Sequence, residues 1–231
     1  MELTREQIQE LYAFTKKHHV EWYDLQTELV DHLANDIEQI WKENSKLTFE
    51  QARKSAYKKF GIMGFGDVIE KKQKALRKRY WKLIWHFFKS YFKLPKIILT
   101  FLLIGIVFSL FNSTANTKTL ITIGLALIFI IPVIFVITKS VAIKKRYKLT
   151  GKKWLFQNSL LSLGGLTYFA QIPIQLYLST NYSIHLTYTL QLLISILFVL
   201  IGIFIYISIK IIPSKMEETI AKEYPEYKVY G

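Results

Sequence analysis

Four long apolar runs separated by polar segments occupy most of the chain beyond residue 93. They cover about residues 94–111, 119–138, 154–178 and 189–212. An α-helix needs about 20 predominantly apolar residues to cross the hydrocarbon core of a bilayer, and the runs are of about that length. The pattern therefore predicts four transmembrane helices, followed by a polar tail at residues 213–231.

The residues ahead of these runs have the 3.6-residue period of amphipathic helices instead. Thr4 and Thr48 each precede a Gln by three residues, and Asp67 precedes Glu70 in the same way, which is the capping pattern of a helix start. Gly61 favours a left-handed end for the third helix. We predict an all-α fold, with a small cytosolic helical domain at residues 1–66 and a four-helix transmembrane bundle at residues 94–212.

The second predicted helix, over about residues 22–43, has two faces of opposite character. Trp22, Leu25, Leu29, Leu33, Ile37 and Ile40 lie on one face, and Asp24, Glu28, Asp31, Asn35 and Glu38 lie on the other. The apolar face is expected to pack in the core of the domain. Asp24, Glu28, Asp31 and Glu38 are therefore candidate contacts for a protein partner.

A basic, aromatic helix is predicted to connect the domain to the bundle over residues 67–93. Lys78, Lys82 and Lys89 lie on one side of it, and Trp81, Trp85 and Phe88 lie on another. This pattern is typical of a helix that lies along a membrane surface. Packing of the same helix against its own bundle, with its lysines in solvent, is the alternative.

The charge of the chain changes sign at the domain boundary. Residues 1–70 carry 13 acidic and 9 basic side chains, a net charge of −4, whereas residues 71–231 carry a net charge of +18, which gives +14 for the whole chain. Short loops rich in Lys and Arg stay in the cytoplasm. The basic segments before residue 97 and at residues 139–153 therefore predict a multi-pass protein of the bacterial cytoplasmic membrane with both termini inside. We attribute the positive charge to contact with anionic lipid headgroups and not to a nucleic acid partner.

Several residue groups invite a catalytic or metal-binding interpretation that their context does not support. The chain has no cysteine, which excludes a disulfide framework and thiol catalysis. Glu28, His32 and Asp36 form a row on one helix, but such a row needs ligands from a second helix to surround an ion. Hydrogen bonding or packing is the expected use of the row, and we predict no metal site.

A second group resembles the motifs of intramembrane aspartyl proteases. The segments 64–67, with the sequence Gly-Phe-Gly-Asp, and Tyr23–Asp24 have the form of the two motifs. A protease dyad requires two aspartates that share a proton, whereas Asp24 lies on a polar helix face and Asp67 opens a helix rich in lysine. We expect no enzymatic activity and no bound cofactor.

The third apolar run carries the polar side chains most unusual for a membrane span. Gln157, Gly164, Tyr168, Gln171 and Gln175 fall on one stripe of the predicted helix. Polar groups in hydrocarbon must face partners, so the stripe is expected to point into the bundle. It serves either to hold helices together or to line a hydrophilic cavity for a small solute or lipid headgroup.

The amino-terminal domain also resembles a known family. The segment 28–33, with the sequence Glu-Leu-Val-Asp-His-Leu, is followed by the segment 46–52, by Ala56 and by Phe60–Gly61. This order is similar to the HAAS-type helical domain of bacterial membrane proteins, over about residues 2–69. The resemblance implies a cytosolic domain in front of several spans, often associated with transcriptional regulators or permease-like proteins, without assigned catalysis.

Together these observations predict a regulatory, sensor or scaffold protein that acts through protein-protein contacts of its cytosolic domain. Two alternatives stay open: an accessory subunit of a larger membrane complex, and a transporter of a small solute or lipid that uses the polar stripe. The protein could also form an oligomer.

Overall fold

The computed structural model describes residues 2–113, 117–162, 187–225 and 227. These residues are predominantly α-helical and contain no strand beyond one isolated bridge. The helices are α1 (Arg5–Lys17), α2 (Tyr23–Glu43), α3 (Phe49–Lys58), α4 (Gly66–Ser90), α5 (Lys96–Ser113), α6 (Thr117–Thr150), α7 (Leu155–Ser162), α8 (Tyr188–Tyr206) and α9 (Ile212–Glu223). The all-α prediction is confirmed for the described residues.

The chain divides into two compact units. The first unit comprises Met1–Arg77 with Lys145–Ser159, and the second comprises Lys78–Lys144 with Leu160–Gly231. The predicted domain at residues 1–66 therefore lies within the first unit. The first unit also takes in Lys145–Ser159, of which the sequence predicted residues 145–153 as a connection between two spans and residues 154–159 as the start of the third span.

Local capping signals determine where two helices of the first unit begin. The Thr4 hydroxyl accepts a hydrogen bond from the Gln7 amide, and the Gln7 side chain accepts one from the Thr4 amide. Thr48 and Gln51 form the same reciprocal pair at the start of α3. Both pairs satisfy amide groups that a helix start otherwise leaves without partners, so these two predicted starts are confirmed.

The core of the first unit is the apolar face of α2. Leu25, Leu29, Leu33 and Ile37 are buried there, as the helical period predicts. Partly buried Trp22 and Ile40 pack against the same core. The other buried residues of this core are Leu11 of α1, Val20 between α1 and α2, Val30 and Trp41 of α2, Ala52 and Ala56 of α3, and Phe65 after α3.

Two glycines shape the turn between α3 and α4. Gly61 and Gly64 have φ angles of +76° and +54°, in the left-handed region that side chains other than glycine rarely enter. The Gly61 carbonyl accepts a hydrogen bond from the Gly64 amide at 3.2 Å. The turn is thereby closed, and Ile62 and Met63 lie at its tip.

Three helices of the described residues are long and apolar enough to cross a membrane: Lys96–Ser113, Thr117–Thr150 and Tyr188–Glu223. They contain the predicted spans at residues 94–111, 119–138 and 189–212, apart from a residue or two at the start of the first. Most of the predicted span at residues 154–178 lies outside the described residues. Within the second unit, Phe198 of α8 packs beside Gly124 of α6 and Phe111 of α5.

Two of these helices are longer than the sequence predicted. The α6 helix continues through Lys139, Lys144 and Lys145 to Thr150, so most of the predicted basic connection is helical. The polar tail predicted from residue 213 begins as a helix, because α8 passes through a π-helical turn (Ile207–Ile211) into α9. The Ile212 amide donates to the Ile207 carbonyl, five residues earlier in the chain. The next residue, Pro213, has no amide hydrogen to donate.

Candidate functional site

The start of α2 binds the segment that joins α6 to α7. Both carboxylate oxygens of Asp24 accept the Leu155 amide, at 3.1 and 3.2 Å, and the Tyr23 amide donates to the Lys153 carbonyl at 2.7 Å. We call these four residues the Asp24 clamp. Because Leu155 is the first residue of α7, Asp24 supplies the cap that a helix start requires from a residue 131 positions away.

Aromatic and cationic groups surround the clamp. The Tyr23 ring meets the Trp154 ring edge to face at 5.5 Å between centroids, and the Lys152 ammonium lies 3.6 Å from the centre of the Tyr23 ring. Edge-to-face rings and a cation over a ring face are both attractive arrangements. Trp154 is buried, so this contact removes apolar surface from water as well as orienting the segment.

The electrostatics of the clamp are dominated by desolvation of Asp24. Burial raises the pKa of Asp24 from its ordinary value of 3.8 to about 6, although the amides of Leu155 and Leu25 favour the charged form. The negative charge of Glu28 raises it further. Burial away from water disfavours a carboxylate, and here it outweighs the hydrogen bonds that would lower the pKa.

An ion pair lies beside the clamp. Lys153 Nζ is 2.6 Å from Glu21 Oε2. The hydrogen bond between them lowers the pKa of Glu21 and raises that of Lys153. Both side chains are well exposed, so the pair stabilises the unit little and mainly fixes the direction of the Lys153 side chain.

The other acidic residues of α2 are in different surroundings from Asp24. Glu28 pairs with Lys72 of α4 at 2.7 Å, and the Glu38 carboxylate accepts the Leu3 amide at 3.4 Å. Asp31 is exposed. The prediction placed Asp24, Glu28, Asp31 and Glu38 together on one surface available to a partner, but in the structure Asp24 is engaged by the chain itself. Asp31, with half-buried Glu28 and Glu38, makes up the remaining acidic surface.

The row of potential metal ligands is divided among ion pairs. Asp36 pairs with Lys59 of α3 at 2.7 Å, Glu28 is paired with Lys72, and His32 is exposed. Among the described residues, no group of three His, Cys, Asp or Glu side chains is arranged to hold an ion. The carboxylates of the row therefore hold α3 and α4 against α2.

The basic, aromatic helix packs partly on its own unit. Tyr80 and Ile84 are buried, and the rings of Trp81 and Phe88 lie about 6 Å from that of Phe204 on α8. This contact agrees with the alternative in which the helix packs against its own bundle. The exposed residues Lys78, Lys82, Trp85 and Lys89 retain the mixed basic and aromatic character of a membrane-surface helix.

Only one residue of the predicted polar stripe lies within the described residues. Gln157 is buried on α7, and its backbone amide donates to the Trp154 carbonyl at 3.1 Å. Gly164, Tyr168, Gln171 and Gln175 lie outside the described residues. The stripe as a continuous feature therefore stays a prediction.

The clamp was not predicted from the sequence. The sequence predicts Asp24 as a contact for a protein partner, and it predicts residues 139–153 only as a basic connection between two spans. The available local signal was Gly151, whose φ of +64° ends α6. A helix end followed directly by a new helix start requires a cap, but the sequence does not say which side chain provides it.

Comparison of the chain with protein-family models, with curated proteins and with solved structures gave no match. The resemblance of residues 2–69 to HAAS-type domains therefore stays a prediction.

Proposed function

We propose that this is a multi-pass membrane protein of regulatory or scaffold type, in which the helical first unit binds a protein partner and the Asp24 clamp links that binding to the apolar helices. The three long apolar helices support the membrane assignment. The basic segments support a cytoplasmic location for the first unit and for both termini.

The observation that carries the proposal is the clamp itself. Residues 145–153 lie between two predicted spans and residues 154–159 begin the predicted third span, yet residues 145–159 form part of the same compact unit as the amino-terminal helices. A partner that favours one arrangement of α2 changes the free energy of the clamp, because Tyr23 and Asp24 belong to that helix. By linkage, the state of the apolar helices then changes the affinity for the partner.

The proposed partner surface is the acidic side of α2 centred on Asp31 and Glu38. Asp31 is exposed, and Glu38 is half-buried. A basic segment of a partner is the complementary chemistry, since opposite charges guide association and fix its orientation.

The test is affinity purification of the full-length chain from native membranes. The double charge reversal Asp31→Lys with Glu38→Lys is compared with Glu43→Lys, which reverses an exposed acid at the carboxyl end of the same helix. A lysine is favourable at a helix carboxyl end, so the control keeps α2 intact. We expect a protein retained by the wild type and the control to be lost from the double variant. If all three chains retain the same proteins, the proposed surface is wrong.

The link through the clamp has its own measurement. Asp24→Ala should change the amount of that partner retained, although Asp24 is outside the proposed surface. If the retained amount is unchanged, the partner surface can still be right, but the clamp does not couple partner binding to the apolar helices.

A further inference from the structure

We infer that the turn between α3 and α4 enters the headgroup region of the membrane, with Ile62 and Met63 as the inserting side chains. This inference rests on the proposed function, because it requires that the chain cross a bilayer. The occupant we assign to the exposed apolar tip is the lipid surface.

The tip is the most exposed apolar feature of the first unit. Ile62 is fully exposed and Met63 is 69% exposed. Within the described part of that unit, the other exposed large apolar side chains are Tyr147 and Leu149, close to the end of α6. Large apolar side chains grouped in this way mark an interaction site more often than scattered ones do.

The backbone conformation and the packing at its base fix the position of the turn. Gly61 and Gly64 both adopt left-handed φ angles, and a Cβ on Gly64 would overlap the Tyr57 hydroxyl. Phe65, directly after the turn, is buried among Phe14, Tyr57 and Phe60. The base of the turn is therefore anchored in the core, while its tip projects away from it.

The tip lies at the same end of the first unit as the Asp24 clamp. Tyr57 and Phe65 contact His18 at the end of α1, at ring distances of 4.6 and 6.0 Å. The chain runs from His18 to Tyr23 in five residues, and Tyr23 binds Lys153. From the clamp the chain continues along α7, which lies within the predicted third span at residues 154–178.

The charges at this end suit an anionic lipid surface. Six lysines belong to the segments that meet here: Lys16, Lys17, Lys58, Lys59, Lys152 and Lys153. Glu21, Asp24 and Asp67 are the acids of the same segments. Glu21 is paired with Lys153, and Lys59 is paired with Asp36 of α2. Apolar side chains among an excess of cations are the combination that binds the interface of anionic membranes.

The experiment uses the absence of cysteine from the chain. Single cysteines are placed in the full-length protein by Ile62→Cys, by Ser45→Cys and by Phe101→Cys, and each is labelled with an environment-sensitive fluorophore. Ser45 is an exposed residue of the turn at the opposite end of α2, and Phe101 is an exposed residue of α5. The proteins are reconstituted in phosphatidylcholine vesicles, with and without phosphatidylglycerol, that carry nitroxide groups on their acyl chains.

We expect the label at position 62 to be blue-shifted and quenched several-fold more than the label at position 45, with stronger quenching when phosphatidylglycerol is present. Equal behaviour at positions 62 and 45 would overturn the inference. So would a blue-shifted label at position 62 that the lipid nitroxides do not quench, since that result assigns the tip to a protein surface. Quenching at position 101 without quenching at position 62 would leave the membrane assignment standing, whereas loss of quenching at position 101 would remove both.

Discussion

The Asp24 clamp makes a prediction that combines its geometry with its electrostatics. Asp24→Ala leaves the Leu155 amide without its acceptor in a half-buried position, and a lost helix cap costs about 1–2 kcal/mol. Asp24→Asn keeps an acceptor oxygen and carries no charge. The Leu155 amide should therefore exchange its hydrogen about tenfold faster in the alanine variant than in the asparagine variant, because about 1.4 kcal/mol corresponds to a factor of ten.

The protection of the wild-type Leu155 amide from hydrogen exchange should change with pH, from the level of the asparagine variant toward that of the alanine variant. The pKa of Asp24 is about 6 in the folded chain and 3.8 in its ordinary state, so the closed clamp binds more protons than the open one between those values. Stability is then highest at low pH and is lost as pH rises through the window. The whole shift in the pKa of Asp24 corresponds to about 3 kcal/mol of clamp stability. Between pH 5 and pH 7.5 the part that is lost raises the opening equilibrium constant about tenfold.

The assay is hydrogen exchange of residues 152–157 in the full-length protein, corrected for the intrinsic dependence of exchange on pH. At pH 5 the wild type should match the asparagine variant, and at pH 7.5 it should be clearly less protected. Asp31→Ala serves as the control, because Asp31 is exposed on the same helix. The reasoning is refuted if corrected protection of the wild type increases with pH, or if the asparagine variant exchanges as fast as the alanine variant.

Two further predictions concern the first unit. Thr48→Ala should destabilise the start of α3 by about 1 kcal/mol, while Thr48→Ser keeps the capping oxygen and most of the protection of residues 49–52 from hydrogen exchange. Gly64→Ala should destabilise the α3–α4 turn more than Gly61→Ala, because both need a left-handed φ but only the first places a Cβ against the Tyr57 hydroxyl. Equal exchange of residues 57–65 in the two variants would show that backbone conformation alone decides the effect.

The features that the sequence predicted well are those specified by neighbouring residues. The pairs Thr4–Gln7 and Thr48–Gln51 are three residues apart, so their capping role depends on little else in the fold. The apolar period of α2 is likewise a property of one segment. The lysines at residues 139–148 were predicted to lie in a connection because they are charged, yet lysine is a good helix former and no glycine or proline interrupts α6 between Pro132 and its end at Thr150.

The features that the sequence did not predict depend on distant parts of the chain. Asp24 and Leu155 are 131 positions apart, and no periodic pattern relates them. The acidic face of α2 illustrates the same limit, since the helical period groups Asp24 with Glu28 and Asp31, although Asp24 accepts the Leu155 amide and Asp31 is exposed. Periodicity gives the side of a helix on which a residue lies, whereas the residue that meets it there depends on the path of the whole chain.

Ion pairs on α2 differ from the clamp in what they contribute. The pairs Glu28–Lys72 and Asp36–Lys59 each have a 2.7 Å contact but exposed or half-exposed side chains. Such pairs typically contribute about 0–1 kcal/mol. Lys72→Met should therefore change the exchange of residues 152–157 by less than about threefold, even though it leaves Glu28 unpaired one turn from Asp24. A tenfold effect would mean that Lys72 sets the charge state of Asp24 through Glu28, and the clamp would then extend to α4.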